Sequence, residues 1–511
     1  MLSVFDHGPP PPCPAPFNLA AYVLGAARDV PDKTALSILS LSGSQDWTYA
    51  QLEQAVLGVA QGLRDQGLAP GARVLMRLGN SVDFPIVYLG AIAAGLVPVP
   101  TSSQLTEPEV AAILSDLEPQ AVLRDPAIAC PDHSGTVLLE KVKTFFDNPV
   151  EAGTFAFDMA DPDRIAYIIY TSGTSGKPRA VAHAHRAIWA RRMMMRDWYA
   201  LKPDDRMLHA GAFNWTYTLG TGLMDPWTLG ATALIPGSDV ALHDLSDLIA
   251  VHRATIFAAA PGVYRKILSE TPVIVAPDLR HGLSAGEKLP QRVREAWHVA
   301  TGTQVYEAYG MSECSTFISS GPARPARGDA LGTPQVGRCV AIMGDDGPAP
   351  QGQEGTIAIR RDDPGLMLEY VNAPEDTAAR FHGDWFMTGD QGAMAVDGQI
   401  TYLGRADDMM NAGGYRVSPL EVEAALSDMP GIDAIGVIDV EVKQDVRLIA
   451  AFYTGPKRLD DAALDRYARS KLARYKQPRA FVHLPQLPTG ANGKLLRRAL
   501  RAYYEVSDDQ A

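Results

Sequence analysis

The segment Thr171-Ser-Gly-Thr-Ser-Gly-Lys177 concentrates four hydroxyl side chains, two glycines and one ammonium group, and Pro178 and Arg179 close it. Glycine lets backbone amides approach an anion closely, and successive amides in such a loop form an anion-binding nest. No acceptor-only side chain interrupts Thr171 to Arg179. That composition suits a polyphosphate. It is not the G-x-x-x-x-G-K-[ST] loop of the common NTPases: counted back from Gly176-Lys177, the first glycine would fall at Thr171, and Pro178 stands where Ser or Thr is required. A solvated Ser/Gly linker is the plainer alternative. Linkers do not directly follow a buried strand, however, and the apolar run Ile165 to Tyr170 reads as one.

Further along, Val305 to Glu313 (VYEAYGMSE) alternates like a strand and ends in polar residues, and Asp384 to Asp390 (DWFMTGD) ends an aromatic segment on a carboxylate. Ala210 to Gly222 (AGAFNWTYTLGTG) is aromatic and nearly uncharged, so either a core cluster or the wall of an apolar pocket fits it. Gly220-Thr-Gly222 falls short of a dinucleotide fingerprint because Asp225 occupies the third glycine's place. His183 and His185 invite a metal reading, but two histidines with no Cys or acidic neighbour rarely make a site; packing or helix-start roles are preferred. The run Arg191 to Arg196 (RRMMMR) reads as a solvated helix face, and Cys314 lacks the base or helix N-terminus that would activate a thiol.

Taken together and in order, these motifs resemble the adenylate-forming superfamily of acyl-CoA synthetases, most closely its medium-chain members, and the resemblance covers nearly the whole chain. It implies that Thr171, Ser172, Gly173, Thr174, Ser175, Gly176 and Lys177 hold the phosphates of ATP. Ala285 and Gly286 of GLSAGEKLP would press against the adenine with Glu287 beside it. Glu307, Ala308, Tyr309, Gly310 and Met311 would border the nucleotide, Tyr309 offering its flat face to the base. Ser312 would reach the α-phosphate, and Glu313 would hold Mg²⁺, because hard cations choose carboxylate oxygen.

The same resemblance gives Asp390 the ribose hydroxyls and Arg405 a second ribose contact, with Asp407 as hinge. Gly413, Gly414 and Tyr415 match the wall of the pantetheine tunnel for coenzyme A, and Lys494 matches the catalytic lysine. Trp215 and Tyr217 would line the acyl pocket. Gly310 stands where acetate-specific relatives carry a pocket-closing tryptophan, which implies room for a longer acyl tail. The segments Phe213 to Leu219 and Tyr309 to Ser319 hold one charged residue, Glu313, so a second substrate carboxylate would find no cation there. The implied activity is ATP-dependent ligation of a monocarboxylic acid, medium-chain or aromatic, to coenzyme A through an acyl-adenylate. The alternative is an adenylating ligase that loads a separate carrier protein.

The elements that must position these groups follow from periodicity. Thr34 to Ser40, Val74 to Leu78, Leu96 to Pro100 and Ala121 to Arg124 read as strands; Thr48/Gln51 and Thr106/Glu109 form capping-box patterns, and Asn18 can cap a helix running through Arg28. Alternating strands and helices predict an α/β fold: a large N-terminal region, 1–404, of helix-covered, mostly parallel sheets. Ser418, Pro419 and Glu421 then start a helix, two strands near Ala434 to Val442 and Leu448 to Tyr453 follow, and a helix carries Leu464, Ala468 and Leu472. Residues 405–511 are therefore expected as a small, mobile α+β domain carrying hinge and lysine.

The 511 residues carry a net charge of -13, which argues against a nucleic-acid partner. The four cysteines show no disulfide or metal spacing, no signal peptide opens the chain, and no run approaches a membrane span; a cytoplasmic enzyme is expected.

Overall fold

The computed structural model describes residues 1–148, 150, 155–171, 179–213, 215–406, 408–412, 415–443, 446–490 and 495–508. By contacts the chain divides into two units: Phe5–Cys339 with Ile359–Phe386, and Met1–Val4 with Val340–Ala358 and Met387–Ala511.

The larger unit is built on a nine-stranded sheet in the order Thr333–Pro334, Ser315–Ser319, Gln304–Met311, His281–Ala285, Ile256–Ala259, Arg206–His209, Thr232–Pro236, Thr34–Ser40, Gly43–Thr48. The strands from Gln304–Met311 to Thr34–Ser40 run parallel, and antiparallel pairs finish both edges. Parallel strands are covered on both faces and so are apolar throughout. Ile256–Ala259 shows this: Phe257 and Ala259 enter one core cluster, Ile256 and Ala258 the other. A second, wholly parallel sheet joins Val97–Pro100, Arg73–Arg77, Ala121–Arg124 and Thr136–Leu138.

Local signals set the helices between these strands. Thr48 and Gln51 form a reciprocal capping box on helix Tyr49–Asp65, and at the start of Glu107–Leu117 the Glu109 carboxylate accepts from both the amide and the hydroxyl of Thr106. Asn18 caps Leu19–Val23, but the helix expected to reach Arg28 tightens into a 3-10 turn at Gly25–Arg28. The strand Ile165–Thr171 pairs antiparallel with Arg179–Ala184 and then Glu369–Tyr370; its side chains alternate between buried and half-buried rather than being buried throughout.

The other unit contains 387–394 of the strand Trp385–Met394, paired antiparallel with Ile400–Arg405. Its C-terminal part is α+β: strands Ala434–Lys443, Val446–Thr454 and Ala480–His483 with helices Pro419–Ser427, Asp461–Lys471 and Arg497–Asp508. Ser418 caps the first of these helices through the Glu421 amide. The chain is thus a mixed α/β protein with a large N-terminal and a smaller C-terminal part. Among the described residues, no helix is long and apolar enough to cross a membrane.

Candidate active site

Parallel sheets gather ligands at the carboxyl ends of their strands. In the larger unit His281–Ala285 and Gln304–Met311 lie side by side, with Ala285 directly opposite Ala308. Gly286 follows at φ 95°, a conformation that side chains rarely adopt. The Trp215 ring stands 4.0 Å from where a Gly286 Cβ would lie, and Trp215 meets Tyr217 edge to face at 5.1 Å. The fold therefore joins Ala285, Gly286, Ala308, Trp215 and Tyr217, residues far apart in sequence. Tyr309 is 9 % exposed and packs edge to face on Phe317 at 5.3 Å.

The register slips between Tyr309 and Gly310, and there the strand meets the backbone of its partner. A Cβ on Gly310 would lie 2.0 Å from the Ser315 carbonyl oxygen. Close backbone packing is therefore one physical reason for this glycine. Beyond Met311 the chain turns through Ser312, which is exposed, and Glu313, which is buried.

Groups that sequence reasoning did not place at the site hold this turn. The Tyr370 hydroxyl donates to Glu313 Oε1 at 2.6 Å, and the Met367 amide donates to the Glu313 carbonyl at 2.7 Å. Burial first, then the neighbouring carboxylate, pushes the Tyr370 phenol up to about 12, so it stays a donor. His183 Nε2 lies 2.7 Å from the Ser312 carbonyl. Burial lowers His183 to about 4, so the ring is neutral and Nε2–H donates.

Arg191 holds the strand that follows, through Ser315. The solvated face expected for Arg191 to Arg196 is confined to the exposed Arg192 and Arg196: Met193, Met194 and Met195 are buried, and the Arg191 side chain is only 12 % exposed. Its guanidinium grips Asp225 bidentately at 2.7 and 2.6 Å and donates to Ser315 Oγ at 2.6 Å. Tyr199 and Thr221 complete the cluster. The mixture of arginine and methionine in one run was the signal; its meaning depended on Asp225, 34 residues away.

Glu307 turns its carboxylate inward, onto the Leu289 amide at 2.8 Å and Arg294 at 3.0 Å, so it braces the loop after Ala285. Glu287 is half-buried. His185 accepts from the Leu19 amide at 3.0 Å, a helix-start role, and no group able to cage a metal exists among the described residues. Cys314 is fully buried, and burial with Asp363 raises its thiol.

In the other unit, Asp390 and Arg405 face each other across paired strands, 3.7 Å apart, with Asp390 buried. Thr171 ends its strand half-buried. Ser172, Gly173, Thr174, Ser175, Gly176, Lys177, Asp407, Gly413, Gly414 and Lys494 lie outside the described residues, and Tyr415 lies in the short strand Tyr415–Val417.

The resident metal implied by the motifs is Mg²⁺. A single buried carboxylate at Glu313, with one oxygen already bonded to Tyr370, fits a cation that takes one protein oxygen and completes its shell with water and phosphate.

Residues 25–371 match the family described as AMP-binding enzyme, and residues 421–494 match the AMP-binding enzyme C-terminal domain. A 3-hydroxybenzoate–CoA/4-hydroxybenzoate–CoA ligase of Thauera aromatica is 29 % identical, covering 95 % of this chain and 97 % of the relative. The mitochondrial acyl-coenzyme A synthetase ACSM3 of Homo sapiens is 27 % identical over 96 % and 90 % of the two chains. Among solved structures, ATP-bound MatB from Rhodopseudomonas palustris superposes with a TM-score of 0.87 at 25 % identity, covering 95 % of this chain and 98 % of that one.

Proposed function

Because the chain belongs to the AMP-binding enzymes and is an AMP-forming acid–CoA ligase of the adenylate-forming superfamily, we propose that it activates an apolar monocarboxylic acid, medium-chain or aromatic, as an acyl-adenylate. The observation that carries this reading is the aromatic pair Trp215 and Tyr217, with Trp215 set against Gly286, beside the strand that leads into the turn Ser312-Glu313. Arg191 reaches the same region, but Asp225 already neutralises it, so it is a poor receptor for a second carboxylate. The relatives include ligases named for aromatic acids.

In the proposed reaction a carboxylate oxygen attacks the α-phosphorus of ATP, and pyrophosphate leaves. The sulfur of coenzyme A then attacks the acyl carbon, and AMP departs with the electron pair of the broken C–O bond. The first step brings two anions together, so positioning and positive charge dominate it. Lys494 supplies the charge between carboxylate and α-phosphate, and Thr171 to Lys177 orient the leaving pyrophosphate. Ser312 contacts the α-phosphate, while Asp390 and Arg405 hold the ribose. Bound Mg²⁺ on Glu313 would offset phosphate charge. For the second step, the resemblance gives Asp407 the part of hinge and Gly413-Gly414-Tyr415 that of receiving the coenzyme A thiol arm, with Lys494 serving the first step alone.

An ATP–pyrophosphate exchange panel of acids tests the reading. Hexanoate, octanoate or benzoate should support exchange better than acetate or malonate; a clear preference for acetate or malonate would overturn the substrate class. Preformed acyl-AMP should then be consumed by coenzyme A, whereas consumption only by a thiol-bearing carrier protein would select the carrier-loading alternative.

A further inference from the structure

The strand Arg206–His209 ends in a fully buried histidine, and Tyr217 lies just before the π-helical turn Thr218–Met224. The two rings meet edge to face, 4.4 Å between centroids. His209 Nδ1 lies 3.0 Å from the Gly211 amide nitrogen and 3.2 Å from Thr218 Oγ1. An amide N–H only donates, so Nδ1 accepts and the ring proton sits on Nε2. Burial lowers His209 to about 3, so the ring remains neutral.

Nε2 of His209 and the hydroxyl of Tyr217 are both buried, and neither has a partner among the described residues. Native interiors leave few polar groups unpaired, and each exception asks for an explanation. Here two exceptions occur on touching rings. Trp215 packs against both rings, at 6.0 Å from His209 and 5.1 Å from Tyr217, and reaches Gly286. The unmet hydrogen bonds therefore lie in the wall assigned to the acid.

We propose that the Nε2–H of His209 and the Tyr217 hydroxyl bind a neutral hydroxyl group carried by the acid away from its carboxylate. This rests on the ligase reading above. A hydroxyl oxygen accepts from Nε2–H, and the hydroxyl can both give to and take from Tyr217. A second carboxylate fits poorly, because both protein groups are neutral and the nearby Arg191 is paired to Asp225. An unsubstituted acid would leave both polar groups desolvated and unpaired, so the site discriminates by what the lesser substrate lacks.

The test compares kcat/KM, read by pyrophosphate release, for matched acids: benzoate with its 3- and 4-hydroxy derivatives, and hexanoate with 6-hydroxyhexanoate. For the wild type, one hydroxylated acid should exceed its parent by roughly tenfold or more, a comparison that needs no variant. In Tyr217→Phe that ratio should fall at least about fivefold. Equal use of parent and hydroxylated acids by the wild type would overturn the proposal, as would an unchanged ratio in Tyr217→Phe; a trapped water would then be the partner. Wild-type inactivity toward every acid would instead overturn the ligase reading, and this inference with it.

Discussion

The Tyr370 hydroxyl and the Glu313 carboxylate are 2.6 Å apart, both buried, although 57 residues separate them in the chain. Arg179 lies over the Tyr370 ring at 5.1 Å and pairs with Asp376 at 3.1 Å, so the phenol is itself held in place. Tyrosine thus fixes one oxygen of the proposed metal-binding carboxylate. Partners of this kind typically cost 10–100-fold in metal affinity or activity when removed. Tyr370→Phe should raise the Mg²⁺ concentration needed for half-maximal pyrophosphate exchange by roughly 10-fold or more. An unchanged Mg²⁺ dependence would remove Tyr370 from that role.

Arg191 and Asp225 form an ion pair largely out of water, with Arg191 also tied to Ser315. Removing one member leaves a desolvated charge unpaired. Asp225→Asn should therefore destabilise the protein by about 3–5 kcal/mol in urea unfolding. The double variant Arg191→Met/Asp225→Leu should lose less than Asp225→Asn, because no bare charge remains. Additive losses from the two single changes would show that the pair is not coupled.

Lys494 is assigned to the first half-reaction alone. Lys494→Ala should slow pyrophosphate exchange by about 100-fold or more, the scale on which a lost electrostatic group acts in a transition state. Thioester formation from supplied acyl-AMP should keep most of its rate. Measuring both halves on one preparation decides the point, since equal loss in each contradicts the assignment.

His185 accepts the Leu19 amide through Nδ1, and burial lowers its pKa from 6.5 to about 3. The folded pKa lies below the unfolded one, so the unfolded chain binds the extra proton. The stability from this group is complete above about pH 6.5 and is lost as pH falls toward about 3. Between about pH 6 and 4 the loss should approach about 1.4 kcal/mol per pH unit relative to His185→Gln, which offers an acceptor but does not titrate. Urea midpoints of both proteins across that range would reveal parallel curves if the histidine were not protected.

Much of the scaffold was legible because its signals are short-range. Capping pairs at Thr48 and Thr106 act over three residues, and strands such as Thr34–Ser40 announce themselves by composition. The motifs that carry Ala285, Gly286, Tyr309, Glu313 and Asp390 resembled one superfamily, and that resemblance led to the family that the comparisons found.

What remained hidden were choices of partner. Arg191 could have faced water until the fold brought Asp225 and Ser315 to it. His183 sits 129 residues from the Ser312 carbonyl that it supports, and Gly310 is confined by the Ser315 backbone across a slipped register. A residue's type and its near neighbours determine which local structure it favours and what chemistry it can offer. Whether a charge is buried or a donor satisfied depends on groups that only chain folding brings within hydrogen-bonding distance, and that was decided by the tertiary structure.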